Sequence, residues 1–327
     1  MLRVRRLGAY GAGVIYPLHV VVSCLMRYVP VRLAYRLVEW GTPLALTVFA
    51  RGYVRRAEAN MRQVMGPAAR PSDVRRMTRS AFINYARYMV DLIRLPYLDL
   101  DDLVRSVTLH GRANLETAFA QGRGVVIATG HIGSWDLAGA YFVRLGPTVS
   151  VLTDTLKPPR WNERVQRIRN HVGMKTIPIE AGPRPMLAAL RRGEGLAVLM
   201  DKPLQDGGVA VSFFGRATRV PSGAATLALR TGALVLPAAL VHAPNGAGYI
   251  GYLGAPLAIA GAGRSAQDVQ ALAQQIMTWL EGVIREYPDQ WYMFRPMWPA
   301  WQAAAQPAAA GERGDVALPL MDSPGSG

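Results

Sequence analysis

The sequence predicts an α/β fold, a largely parallel central sheet flanked by helices, preceded by helices that dock on a membrane. Three observations carry this. From about residue 103, short apolar runs of strand length alternate with amphipathic runs of helix length, the βαβα rhythm of a parallel sheet. Those short runs are almost continuously apolar, as strands buried on both faces require. Before residue 105 the pattern changes to long apolar stretches broken by arginines.

In chain order, residues 1–65 read as helices. Uncharged residues run from Leu7 to Met26 between Arg5, Arg6 and Arg27. That is about the 20 residues needed to span a bilayer. Pro17, His19 and three glycines make it a poor spanning helix and a better interfacial one. A second apolar stretch, Trp40 to Ala50, is too short to span. Residues 72–95 follow as an amphipathic helix, with Ser72 as the expected N-cap and Met77, Phe82, Tyr85 and Met89 at helical spacing. Leu103–Val107 begins the first expected strand. Val125–Thr129, Val149–Leu152, Thr176–Ile179, Leu196–Met200 and Ala233–Leu240 are the buried strands. Helices are expected at 134–144, 160–172, 184–192, 222–231 and 266–286, the last ending before Pro288. The boundaries expected are an N-terminal segment 1–65, an α/β domain 66–301 and a disordered Ala/Pro/Gly/Ser-rich tail 302–327.

Composition narrows the function. The chain has 327 residues, half of them apolar, so it buries a large core. Its net charge is +15, and residues 1–105 hold 17 arginines against 7 acidic residues. Those arginines alternate with Leu, Val and Tyr, and no polar basic stripe or zinc spacing accompanies them. Membrane lipid is therefore the expected partner, not nucleic acid. The lone Cys24 excludes an intramolecular disulfide framework and a cysteine-built zinc site, and the five histidines are scattered. No metal or cofactor is expected. A secretory signal lacks a clear cleavage site.

The candidate site lies where VVIAT runs into Gly130-His131-Ile132-Gly133-Ser134-Trp135-Asp136. Active groups in open α/β sheets gather past the carboxyl ends of strands. A neutral imidazole serves as a general base when a carboxylate fixes its tautomer, and Asp136, in the first turn of the next helix, is the expected partner of His131. Free backbone N–H groups at the helix start are the expected oxyanion donors. On spacing alone, a capped helix fits equally well. Asp201 also stands at a strand end.

The segment GHIGSWDLAGAYF resembles the H-x4-D/E block of the lysophospholipid acyltransferase superfamily. More narrowly, the chain resembles the bacterial lipid A biosynthesis acyltransferase family, which includes the mycobacterial phosphatidylinositol mannoside acyltransferases. Further blocks match in order over roughly residues 10–300. These are Arg62 in AEANMRQVMG, Arg167 and Arg169 in NERVQRIRNHVGMKTIP, a long central block through Asp201, Phe213-Phe214-Gly215, Pro221 and Gly223, and the ending PDQWYMFRPMW. The resemblance implies O-acyl transfer from a thioester, acyl-CoA or acyl carrier protein, to a lipid hydroxyl. His131 is then the base and Asp136 its orienting group. Arg169 then holds a donor phosphate or the oxyanion, Asp201 binds an acceptor hydroxyl or supports the His131 network, and Arg167, Lys202, Asp206, Arg216 and Arg219 are further substrate-binding candidates, the last two as phosphate contacts. Phe213 and Phe214 fit a core or acyl-tunnel wall. Asp at position 136 and Asp-Lys-Pro at 201–203 depart from lipid A enzymes and favour a glycophospholipid or other glycolipid acceptor. A monomer on the cytoplasmic face of the cell membrane, peripheral or with one N-terminal anchor, is expected. Two rivals remain at this stage: a hydrolase using the same His-Asp pair on water, and a non-catalytic membrane-binding protein. A covalent-serine hydrolase is disfavoured because no Gly-x-Ser-x-Gly is present.

Overall fold

A computed structural model describes residues 28–49, 51–244, 246, 248–257 and 265–298. The apolar stretch 7–26 and the tail after Trp298 lie outside the described residues. Ten helices are described: α1 (Val31–Phe49), α2 (Arg51–Met65), α3 (Pro71–Arg94), α4 (Leu100–Ser106), α5 (Arg112–Ala120), α6 (Trp135–Leu145), α7 (Pro159–His171), α8 (Pro183–Arg191), α9 (Gly223–Thr231) and α10 (Ala266–Glu286). Nine strands accompany them: β1 (Val107–His110), β2 (Val125–Thr129), β3 (Val149–Thr153), β4 (Lys175–Pro178), β5 (Gly195–Leu199), β6 (Val209–Phe213), β7 (Arg216–Val220), β8 (Leu234–His242) and β9 (Tyr249–Leu253).

Seven strands form one sheet in the order β1-β9-β8-β2-β5-β3-β4, and β6 and β7 form a separate hairpin. Every pairing in the large sheet is parallel except β8 with β9. The expected α/β architecture is therefore present. β2 lies between β5 and β8, so the crossover connections diverge beside its carboxyl end. One sheet face packs on α8, α9 and α10 through residues such as Val126, Leu196, Val235, Ala228 and Ile276. The other face is covered by α6, with α3 and α7 packed behind it through Leu137, Tyr141, Tyr88, Val165 and Ile168.

Several elements differ from the sequence expectation. Helix α3 starts at Pro71 with Arg70 at the N-cap, not at Ser72, because proline's fixed φ already suits the first helical position. Residues 103–106 are helical: Asp99 caps α4 by accepting from the amides of Asp101 and Asp102, and the strand begins only at Val107. The β6–β7 hairpin turns on Phe214-Gly215, both with positive φ (50° and 73°), as a two-residue hairpin loop requires. Phe214 is held there from both sides. Its N–H donates to Glu281 Oε2 at 2.9 Å and its carbonyl accepts from Gln63 at 2.8 Å.

The expected seam at residue 65 falls inside one core, since Tyr53, Ala57 and Met61 of α2 pack with Val74, Phe82 and Phe294. Two buried asparagines tie these helices to the chain's last described segment. Asn60 Nδ2 donates to the carbonyls of Met293 and Arg295, and Asn84 Nδ2 donates to the carbonyl and carboxylate of Asp289. Helix α1 packs on α3 through its inner side only. Leu33, Leu37, Trp40 and Leu44 recur at helical spacing on its outer side and are 48–85% exposed. Among the described residues no helix is long and apolar enough to cross a membrane.

The turn after β2 is the tightest point of the fold. Gly133 has φ +59°, and a Cβ there would lie 2.0 Å from the Leu240 carbonyl oxygen. Gly133→Ala should therefore destabilise the protein by at least about 2 kcal/mol, from left-handed strain plus displacement of β8. Thermal unfolding should show a fall in Tm of about 5 °C. An unchanged Tm would mean that the turn relaxes freely.

Candidate active site

His131 follows the end of β2 and Asp201 follows the end of β5. The two strands pair in parallel, with Thr129 beside Leu199, so the residues two positions past each end stand next to one another. The His131 ring Nδ1 lies 2.8 Å from Asp201 Oδ1. The His131 backbone N–H also reaches both carboxylate oxygens, at 3.0 and 2.9 Å. Trp291 Nε1 donates to Asp201 Oδ2 at 2.8 Å. Asp201 is fully buried while the His131 side chain is 30% exposed, so the carboxylate lies behind the ring. Burial pushes the Asp201 carboxyl up, but the His131 ring and the N–H donors from His131 and Trp291 outweigh it and hold it below its ordinary value. The space is close enough that a Cβ at Gly130 would sit 2.9 Å from Asp201 Oδ2.

This arrangement corrects the expectation for Asp136. Asp136 sits in the first turn of α6 and faces the layer beneath it, away from the His131 ring nitrogen that Asp201 occupies. One Asp136 oxygen accepts from Arg169 Nε at 2.6 Å. The other accepts from the Tyr88 hydroxyl at 2.7 Å and Arg169 Nη2 at 3.2 Å. Arg169 is 8% exposed and is spent on this pair, not on an open phosphate site. Burial lowers the Arg169 pKa, but Asp136 more than compensates and keeps the guanidinium charged. Burial and Asp136 together raise the Tyr88 pKa well above its usual value, so its hydroxyl stays a donor. The triad fastens α3, α6 and α7 beside the turn that carries His131.

Two of the expected backbone oxyanion donors are taken. The amides of Gly133 and Ser134 donate to the carbonyls of Gln290 (2.9 Å) and Leu240 (2.8 Å). The turn is stitched to β8 and to the 288–292 segment, and its N–H groups serve that attachment. The remaining candidates divide in two. Lys202 lines the cavity beside His131 and pairs with Asp154 at 2.7 Å. Arg167 and Asp206 are exposed and outside the cavity. Arg219 is exposed too and donates to the carbonyls of Gly207 and Gly208, which pins the loop before β6. Phe213 and Phe214 are core residues packed with Trp291 and Trp298, not cavity wall.

A cavity of about 520 Å3 opens beside His131. Its polar end holds His131, Arg169, Lys202 and Asp154. Its lining continues beneath α6 along one sheet face, through Ile127 on β2, Val149 and Val151 on β3, Ala197 on β5 and Ala238 on β8. The α6 residues against it, Ala138 and Gly139, are small. Sequence reasoning missed Trp291 and Tyr88. Both lie in aromatic stretches that give no local hint of which ring reaches a carboxylate.

A family model described as bacterial lipid A biosynthesis acyltransferase matches residues 10–299. A phosphatidylinositol mannoside acyltransferase from Mycolicibacterium smegmatis is 31% identical over 245 residues, covering 73% of this chain and 77% of that protein. A protein of the same description from Mycobacterium tuberculosis is 31% identical over 259 residues, covering 76% and 79% respectively.

The two buried carboxylates should respond differently to loss of charge. Asp201→Asn keeps the shape but lets an amide hold the wrong imidazole tautomer, so kcat should fall about 10²–10⁴-fold with little change in Tm. Asp136→Asn leaves the buried Arg169 charge against a neutral partner and should cost about 3 kcal/mol of stability. Kinetics and thermal melts on both variants separate them. Wild-type turnover in Asp201→Asn, or a fully stable but inactive Asp136→Asn, would return the orienting role to Asp136.

Proposed function

The chain belongs to the bacterial lipid A biosynthesis acyltransferase family and is an acyltransferase, and from the geometry of its site we propose that it moves a fatty acyl group from an acyl thioester to a hydroxyl of a glycolipid, with His131 as general base. The observation that carries this is the pairing of His131 Nδ1 with a buried carboxylate at the mouth of a largely apolar cavity. With Nδ1–H donating to Asp201, Nε2 is the free basic nitrogen. It removes the acceptor hydroxyl's proton as that oxygen bonds to the thioester carbonyl carbon. The tetrahedral intermediate collapses, the C–S bond breaks, and the sulfur leaves as a thiol with the proton returned from the imidazolium. Asp201 offsets the charge the ring carries between these steps. The protein contributes no nucleophile in this scheme.

The acyl chain lies in the cavity beneath α6, where Ala138 and Gly139 leave room against the sheet. The donor is an acyl-CoA or acyl carrier protein thioester, and Lys202 at the polar end suits its phosphate. The acceptor is of the phosphatidylinositol mannoside or lipid A kind. The names of the mycobacterial relatives favour the former. The enzyme works at the cytoplasmic face of the cell membrane, docked through α1. Leu33, Leu37, Trp40 and Leu44 enter the apolar boundary while exposed Arg32 and Arg36 meet anionic headgroups.

A labelled acyl-CoA incubated with phosphatidylinositol mannosides, with products read by mass spectrometry, should give an acylated glycolipid. His131→Ala should reduce that product about 10²–10⁴-fold while folding normally. Free fatty acid as the sole labelled product would make the enzyme a hydrolase, and full activity of His131→Ala would sink the base assignment.

The docking face is testable separately. The double variant Leu37→Glu, Trp40→Glu should fold normally, because both side chains point to solvent, and should sediment with anionic vesicles at least about tenfold less well. Undiminished sedimentation would place the docking surface elsewhere.

A further inference from the structure

The chain holds a second buried His-Asp pair that the proposed chemistry does not use. His242, the last residue of β8, places Nε2 at 2.8 Å from Asp91 Oδ2 on α3, and both residues are nearly fully buried. The other Asp91 oxygen accepts from the Tyr35 hydroxyl on α1, which also lies 3.3 Å from the Tyr249 hydroxyl. On its far side His242 is gripped by Gln290. The His242 backbone N–H donates to Gln290 Oε1 at 2.8 Å, and Gln290 Nε2 donates back to the His242 carbonyl at 2.9 Å. Gln290 in turn presents its own carbonyl to the amide of Gly133, two residues after His131. The next residue, Trp291, donates to Asp201. One unbroken line of hydrogen bonds therefore runs Tyr35, Asp91, His242, Gln290, Gly133.

We propose that this line is a positioning device, by which the seating of α1 sets the geometry of the turn carrying His131. None of Tyr35, Asp91, His242 and Gln290 lines the cavity, so none touches substrate and all act through the turn. The inner side of α1 is fastened at two points one turn apart, Tyr35 on Asp91 and Glu39 on Arg87. Its outer side carries the exposed Leu33, Leu37, Trp40 and Leu44. Anything that settles on that outer side presses on the Tyr35 end of the line. A buried carboxylate needs its donors, so a shift of Tyr35 is felt by Asp91 and His242. The Tyr35 hydroxyl is a dependable donor because burial, then the Asp91 charge, push its pKa far up. The Gln290 end is rigid, since its amide is fixed at two points and its carbonyl is fixed by Gly133. The input at α1 rests on the membrane reading above, while the positioning of the turn does not.

The test uses the full-length enzyme, steady-state kinetics with acyl-CoA varied at saturating acceptor, and hydrogen–deuterium exchange over residues 129–135. Tyr35→Phe removes one hydroxyl far from the cavity. It should lower kcat about fivefold with donor KM changed less than twofold, because geometry at the base matters only as the transition state forms. It should also speed exchange across 129–135. His242→Gln retains an N–H where Nε2 stood and should recover most of the kcat lost in His242→Leu. Anionic vesicles should slow exchange at 129–135 in the wild type and not in Tyr35→Phe. Wild-type kcat and exchange in Tyr35→Phe overturn the proposal, whether or not the His242 variants fold, as does a loss confined to KM. Vesicles that bind without changing exchange at 129–135 overturn the α1 input. A protein that ignores vesicles but loses kcat in Tyr35→Phe supports the positioning line and sinks the membrane reading alone.

Discussion

The Asp201 carboxylate is fully buried, and its two oxygens receive the His131 ring, the His131 backbone N–H and the Trp291 indole. A buried charge survives only when its lone pairs are met. Meeting them dictates what surrounds it. β2 and β5 must be neighbours in register, the turn at 130–133 must press close enough to exclude a side chain at Gly130, and the 288–292 segment must return across the sheet to deliver an indole. The imidazole is thereby fixed in position at the edge of the cavity.

A second carboxylate, only five residues from His131, does different work. Asp136 neutralises Arg169 and takes the Tyr88 hydroxyl, an arrangement with no exposed charge. Such a buried pair contributes little net stability but makes the loss of either member costly. Its value here is geometric, because it joins three helices at the root of the turn that carries His131. The same principle recurs with Asp91 and His242 at the end of β8. Two buried aspartates, Asp201 and Asp91, thus meet histidines that follow or end strands at the sheet's carboxyl edge, and a third, Asp136, joins helices beside them.

Much of this was legible in the sequence because strand burial leaves a local trace. Val125–Thr129 is apolar throughout, and its strand bounds match the run residue for residue. The long helices 72–95 and 266–286 were legible from periodicity, and His131 and Asp201 stood out as polar residues at strand ends. What stayed hidden depends on pairing. Whether His131 meets Asp136 or Asp201 turns on β2 lying beside β5, and no local spacing encodes sheet order. Trp291 shares its stretch with Tyr292, Phe294 and Trp298, and only the folded path shows which ring reaches the carboxylate. The β6–β7 hairpin was missed because a phenylalanine stands at a positive-φ turn position that glycine or asparagine usually signals. Arg169 was expected to hold a donor phosphate or the oxyanion only through the family resemblance; in the fold it is buried as the partner of one particular acid.

The clasp that Asn60 and Asn84 make on residues 289–297 has a consequence for biosynthesis. Translation delivers β2, α6 and β5 early, and they pair without the end of the chain. The indole that completes the Asp201 pocket leaves the ribosome much later, and its segment is held by the asparagines of α2 and α3 together with the bonds of Gln290 to His242 and of Tyr292 to His131. Until then the Asp201 carboxylate lacks one of its donors. Its pocket is complete only when N- and C-terminal parts meet, a contact of very long sequence separation and so a late folding event. A chain terminated before residue 288 would carry every strand of the sheet but lack the indole that donates to Asp201.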